Sequence, residues 1–163
     1  MPADRKQALE AYQAALTTKG DALRGKAIFQ KNCATCHRVG DVGVDVGADI
    51  ADTRAKTPEL LMTNILNPNQ AIDSNYINYV VLTKSGKVLT GIIAAETASS
   101  ITLKRAENQT EIVLRQEIDE LESTGQSLMP EGLEKNITIP EMADLLSFLK
   151  NWRYLDGSIP AQP

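Results

Sequence analysis

One histidine and two cysteines are all that the chain holds of either residue. A structural zinc site takes four ligands, usually Cys and His, so this composition cannot supply one. No apolar run approaches the roughly 18 residues of a membrane span, and no span is expected in this chain. The opening Met1-Pro2-Ala3-Asp4-Arg5-Lys6 is followed by no apolar core and does not read as a signal peptide. No phosphate-binding loop is recognisable. A formal charge of −4 works against nucleic acid as a partner. What remains is a chain of ordinary globular composition, and 163 residues suffice for one domain with a real core.

The scarce residues lie together, in Cys33-Ala34-Thr35-Cys36-His37. This is C-x-x-C-H, the c-type haem attachment pattern. Each thiol can add to one vinyl group of a porphyrin. Two intervening residues let the chain turn so that both sulfurs reach one ring edge, and His37 then lies under the iron as proximal ligand. A thioredoxin-like redox pair would need a βαβ context that is not visible. With no second His, two-histidine ligation within one chain is excluded. The distal ligand is then Met, Lys, a terminal amine, water or nothing. One covalently bound haem c would consume both sulfurs.

Hydrophobic spacing divides the rest. Residues 3–18 read as a helix through Leu9, Tyr12 and Leu16, stopped at Gly20; segment 1–20 is expected to be a helical packing extension or the tail of an upstream linker. A second helix, Ala22 to Asn32, has Asp21 as its cap and puts Gly25 and Phe29 on one face. Residues 38–54 read as loop. Thr57-Pro58-Glu59 opens a third helix and Asn67-Pro68 ends it. From Tyr76 the period changes. Ile77–Leu82, Val88–Ala94, Ile101–Lys104 and Thr110–Leu114 predict an antiparallel β-meander or small barrel of about four strands. Its likeness to Sm or SH3 barrels is one of pattern alone. Arg115 to Glu122 is expected to return through a short helical turn. Thr138-Ile139-Pro140-Glu141 has capping-box spacing and starts a last helix. Met142, Leu145, Leu146, Leu149 and Trp152 give that helix one apolar face, expected to cross the Gly25–Phe29 helix.

In Gly25-Lys26-Ala27-Ile28-Phe29, the Cys33–His37 motif, Met129-Pro130 and the last helix, the chain resembles a class I c-type cytochrome over roughly 21–74 and 124–155. Cys36-His37-Arg38-Val39-Gly40, Gly47-Ala48-Asp49-Ile50, Ile65-Leu66-Asn67-Pro68 and Ser127-Leu128-Met129-Pro130-Glu131-Gly132-Leu133 carry a closer likeness. It is to the haem-binding C-terminal domain of predicted membrane-bound dehydrogenases of planctomycetes and verrucomicrobia. The resemblance implies a mainly α cytochrome c fold, α+β overall, with the β-meander inserted. A single domain would span 21–155: a haem-attachment half 21–75, the insertion 76–122, and a Met loop with the C-terminal helix 123–155, followed by a tail 156–163. It also implies that a backbone carbonyl after Gly47 holds the proximal His, where Ala48 replaces the family's Pro. Arg38 and Arg54 are candidate propionate contacts.

Met129 is the best candidate for the distal ligand, because Pro130 biases it out of the helical region and lets the thioether project from an extended loop. Met62 and Met142 are rivals at helical spacing, where a Met is more often core. The function expected is electron transfer rather than catalysis, by a monohaem c-type cytochrome. It would carry single electrons from a periplasmic dehydrogenase, which could be the upstream part of the same polypeptide, to a cytochrome or the respiratory chain. The alternative is a haem-based gas sensor or a peroxidase-like enzyme, which needs a labile or absent Met ligand. A haem-stabilised structural domain is a third class. Haem attachment normally takes place outside the bacterial cytoplasmic membrane. The expectation is therefore a periplasmic location, with a signal already removed or the chain an excised domain bearing an added Met.

Overall fold

The computed structural model of the chain describes residues 1–155; the expected tail, 156–163, lies outside the described residues. Among the described residues are four α-helices, a two-stranded ribbon and a five-stranded sheet. Helix α1 spans Ala3–Ala11 and gives way to a 3-10 turn over Gln13–Leu16, so the single helix expected over 3–18 is broken at Tyr12. Helix α2, Ala22–Asn32, starts where the Asp21 carboxylate accepts from the Arg24 N–H at 2.8 Å. Helix α3, Pro58–Leu66, starts at Thr57, whose hydroxyl accepts from Leu60 N–H at 3.2 Å, with Pro58 in the first turn. Helix α4, Ile139–Asn151, carries the reciprocal capping box of Thr138 and Glu141.

Helices α2 and α4 cross at Gly25. A side chain there would overlap the Asp144 carbonyl oxygen and stand 2.7 Å from Phe148 Cβ, so only glycine allows this approach. One turn on, Phe29 meets Phe148 with ring centroids 5.3 Å apart. Both rings are buried, in a cluster that also takes in Tyr12, Met62, Leu66, Met142 and Leu145. Asp144 fixes the start of α2. It accepts from Asp21 N–H at 2.7 Å and from Arg24 Nε at 2.9 Å.

The segment 38–54 is not all loop. β1 (Arg38–Val39) and β2 (Val42–Gly43) form a short antiparallel ribbon, and Thr53–Ala55 is a 3-10 turn. The larger sheet contains β3 (Ile77–Thr83), β4 (Val88–Glu96), β5 (Ser100–Arg105), β6 (Gln109–Leu114) and β7 (Ile118–Ser127), in the order β6-β5-β4-β3-β7. That is one strand more than the spacing predicts. The helical turn expected over 115–122 is confined to Arg115–Glu117, and the chain then runs straight through to Ser127. β7 escapes the pattern because it is an exposed edge strand. Asp119, Glu120 and Glu122 leave no hydrophobic alternation, and pairing with β3 makes it a strand. The sheet therefore extends past residue 122, the expected end of the insertion, and closes at Ile77 opposite Ser127. Its interior holds Val81, Ile101, Leu103 and Val113.

Candidate functional site

The Cys-His turn continues the last turn of α2. Cys33 N–H donates to the Phe29 carbonyl at 2.8 Å, and His37 N–H to the Cys33 carbonyl at 2.8 Å. The following loop then wraps this turn. Val46 and Gly47 N–H groups donate to the Cys36 carbonyl at 3.0 and 2.7 Å. Gly47 lies close against the imidazole: a Cβ there would be 2.7 Å from His37 Cε1. One residue later the Ala48 carbonyl lies 2.9 Å from His37 Nδ1. A carbonyl only accepts, so Nδ1 carries the proton and Nε2 keeps its lone pair. Burial pushes the His37 pKa down, against the opposing effect of the bond to Ala48. The ring is thus held as a neutral imidazole with one nitrogen available for a metal, and the bond to Ala48 fixes its orientation.

The thiols beside it are of a matching kind. Burial, with Cys36 close by, pushes the Cys33 thiol up to about 12, and burial also raises Cys36. A nucleophilic redox pair needs a lowered pKa, and these groups stay protonated at neutral pH. Both are free and half-buried, with Cys33 and Ala34 packed on the helical core.

Three internal methionines compete for the other side of a ring. Met62 and Met142 are each 0% exposed within the helical core. Met129 is half-buried at the edge of that core, on the stretch between β7 and α4. A thioether that reaches a group outside the polypeptide must keep part of its surface uncovered by protein. Met129 meets that requirement; the other two do not.

The two candidate arginines are placed differently. Arg38 is engaged by its own ribbon, donating to the Gly40 carbonyl at 2.9 Å and lying 3.6 Å from the Asp45 carboxylate. Arg54 stands 5.5 Å from the Tyr154 ring centroid and lines an open depression of about 700 Å³ with Asp49, Asp52 and Arg153. Among the described residues the Tyr154 hydroxyl is buried without a hydrogen-bond partner. The residues present therefore fit a covalently held haem: two thiols, an oriented imidazole, a partly uncovered thioether and a guanidinium on an open depression. Among the described residues no group of three or more His, Cys, Asp or Glu is placed to hold a bare metal ion.

Sequence spacing missed the contacts that tie distant segments to this site. Arg5 of α1 is buried and clamps the segment after Met129, donating to Glu134 at 2.7 and 3.2 Å and to the Leu66 carbonyl at 3.0 Å. The Tyr12 hydroxyl donates to the Glu134 carbonyl at 2.9 Å and also contacts that of Ile137. The guanidinium holds the Glu134 carboxyl below its ordinary range. From the sheet, Glu107 N–H donates to the Thr35 carbonyl, inside the Cys-x-x-Cys turn, at 2.6 Å, and Lys104 Nζ donates to the Asp45 carbonyl at 2.6 Å. Helical spacing puts Arg5 and Tyr12 on one face of the first segment, the one signal available; nothing local marks Glu107.

Residues 20–75 match the family model described as cytochrome C oxidase, cbb3-type, subunit III. The match takes in α2, the Cys-His turn, the wrapping loop and α3, and leaves the sheet and α4 outside it. It supports a c-type cytochrome, with haem c as cofactor, a haem-based electron-transfer role and redox proteins as partners. No match is found among curated proteins. Among the described residues no helix is long and apolar enough to cross a membrane.

Proposed function

We propose that this protein is a monohaem c-type cytochrome that passes single electrons from a dehydrogenase to a downstream cytochrome or the respiratory chain, outside the cytoplasmic membrane. Its fold on this reading is that of a class I cytochrome c, built on α2, α3 and α4. The five-stranded sheet is an insertion between the attachment half and the Met loop, and α1 is an extension. Cys33 and Cys36 would hold the porphyrin as thioethers, with His37 Nε2 and Met129 Sδ as axial ligands. Haem c, when bound, supplies a one-electron couple. The chain's own part is to orient, to shield and to tune. Ala48 fixes the imidazole, Gly47 lets the loop close on it, and Arg54 offers a donor to propionate.

The observation that carries this reading is the His37 ring, oriented by Ala48 with Nε2 left over, directly after two protonated thiols. Two protein ligands leave no coordination position for substrate, which favours a carrier over a sensor or a peroxidase. No second histidine exists to serve as a distal acid-base group.

Visible spectroscopy with and without carbon monoxide tests the proposal. A six-coordinate low-spin spectrum is expected in both oxidation states, with a sulfur-to-iron charge-transfer band when oxidised. Rapid carbon monoxide binding by the native reduced protein would refute the carrier reading. Met129→Ala is expected to abolish the band; its survival would assign the ligand to Met62 or Met142.

A further inference from the structure

The stretch bearing Met129 is anchored at every backbone donor it has. Ser127 N–H donates to Asn69 Oδ1 at 2.8 Å, Leu128 N–H to the Tyr76 carbonyl at 3.0 Å and Met129 N–H to Ser127 Oγ at 3.1 Å. Pro130 has no N–H. Beyond it, Asn69 Nδ2 donates to Glu131 Oε1 at 2.7 Å. One amide side chain therefore grips the residue two before Met129 with its oxygen and the residue two after it with its nitrogen. A peptide N–H on one side and a carboxylate on the other leave one sensible orientation for that amide.

The position of Asn69 in the chain adds to this. It follows the end of α3, where Asn67 and Pro68 are buried, so the grip comes from the helical core. Ser127 is at the same time the last residue of β7, paired with Ile77 of β3. The seam where the sheet leaves and re-enters the helical half is thus the seam that presents Met129. Met has three rotatable side-chain bonds and no backbone hydrogen bond follows at Pro130, so the approach of its sulfur depends on how firmly the flanks are fixed.

We propose that Asn69 is a positioning residue for the distal ligand. It clasps both flanks of Met129 against the β3–β7 seam, and the inserted sheet is thereby part of that ligand's mount. The inference rests on the reading of Met129 as the second axial ligand. Asparagine suits the task because it carries a donor and an acceptor on one short, stiff stem. Aspartate would keep the acceptor for Ser127 but face Glu131 with like charge. Leucine would offer neither.

The test is the rate at which carbon monoxide binds the reduced, haem-loaded protein. The gas must take the place of the Met129 sulfur, with no electron transferred. Asn69→Leu is expected to bind about tenfold faster than the native protein, since two hydrogen bonds that hold the closed loop are lost. Asn69→Asp, which sets like charge against Glu131, and Glu131→Ala, which also removes the 4.0 Å pair with Arg5, both keep the acceptor or amide for Ser127 and are expected to fall between the two. In Asn69→Leu the charge-transfer band should also vanish at a lower urea concentration than global unfolding. A purely structural role would move both transitions together. Met129→Ala is measured alongside. If the band survives in Met129→Ala, the ligand reading falls and the inference with it. If that variant loses the band while Asn69→Leu binds at the native rate, the inference alone is overturned. Should Asn69→Leu fail to fold, native rates in both Asn69→Asp and Glu131→Ala overturn it equally.

Discussion

The helical half and the sheet are held together by different means. In the helical half, Phe29, Met62, Leu66, Met142, Leu145 and Phe148 are each at most 2% exposed, and each large side chain so buried contributes about 1.5–3 kcal/mol. In the sheet the enclosed cluster is Val81, Ile101, Leu103 and Val113, with Leu89, Ile93 and Ile118 beside it. Strand β7 is exposed along nearly all its length. A sheet with so small an interior holds its shape by ladder hydrogen bonds and by its seams to the helices at Asn69, Thr35 and Asp45. Burial of α2 in the helical core therefore anchors the side of the proposed site that carries Cys33, Cys36 and His37, with the bond to Ala48 orienting the ring. Hydrogen bonds fix the side that carries Met129, which makes that side the more easily displaced.

Core truncation puts this contrast to its hardest test. Phe148→Ala is expected to cost about 4 kcal/mol in urea unfolding, and Val113→Ala about 2 kcal/mol, because the first leaves a ring-sized cavity and the second removes two methyl groups. Equal costs would mean that the sheet is packed as tightly as the helices. Glycines give a second comparison. Gly25→Ala is expected to cost about 3 kcal/mol by forcing α2 off α4. Gly86→Ala meets nothing within 4 Å and carries only the strain of φ +88°, about 1 kcal/mol.

A third test concerns the tether of the Met loop. The Glu134 carboxyl is held below its ordinary value of 4.5 by Arg5. Stability from the pair is therefore complete above that value and is lost as pH falls through the lower folded-state value. Glu134→Gln is expected to cost about 2 kcal/mol near neutral pH, since buried Arg5 loses its closest counter-charge and keeps only Asp4 at 3.1 Å and Glu131 at 4.0 Å. The variant should also lose less on acidification than the native protein. Urea midpoints followed from about pH 6 to about pH 3 would show the two curves converging. Parallel curves would mean that Glu134 does not carry the acid response.

What the sequence makes legible follows the same division. Helices α2, α3 and α4 announce themselves because Asp21, Thr57-Pro58 and Thr138-Ile139-Pro140-Glu141 are local signals, read within one turn. The Cys33–His37 cluster is legible for the same reason, being contiguous. β7 is not, because Asp119 to Thr124 carry no alternation and its strand state comes from β3, far back in the chain. The break in the first helix is equally hidden: Tyr12 is drawn to carbonyls at Glu134 and Ile137. Apart from the local bond of Met129 N–H to Ser127 Oγ, the contacts that hold Met129 join segments distant in sequence: Asn69 with Glu131, Arg5 with Glu134, Tyr76 with Leu128. Periodicity says nothing about such pairs.

The smallest expected effect concerns the seam at Thr35. Glu107 has φ 61° and Asn108 φ 58°, so both occupy the left-handed region. Asparagine tolerates it, whereas for glutamate the cost is about 1 kcal/mol. The conformation coincides with the one that aims the Glu107 N–H at the Thr35 carbonyl. Glu107→Gly keeps that N–H and removes the steric cost, and glycine's greater freedom in the unfolded chain offsets part of the gain. A net stabilisation of about 0.5 kcal/mol is expected. Glu107→Pro deletes the N–H and fixes φ near −65°, so it should release the turn. Amide exchange in β5 and β6 would report both, slowing slightly in the first variant and accelerating in the second. If Glu107→Gly loosened the strands instead, the glutamate side chain and not its backbone would be what holds the turn. If Glu107→Pro left exchange unchanged, the sheet would be anchored at its β3–β7 end alone.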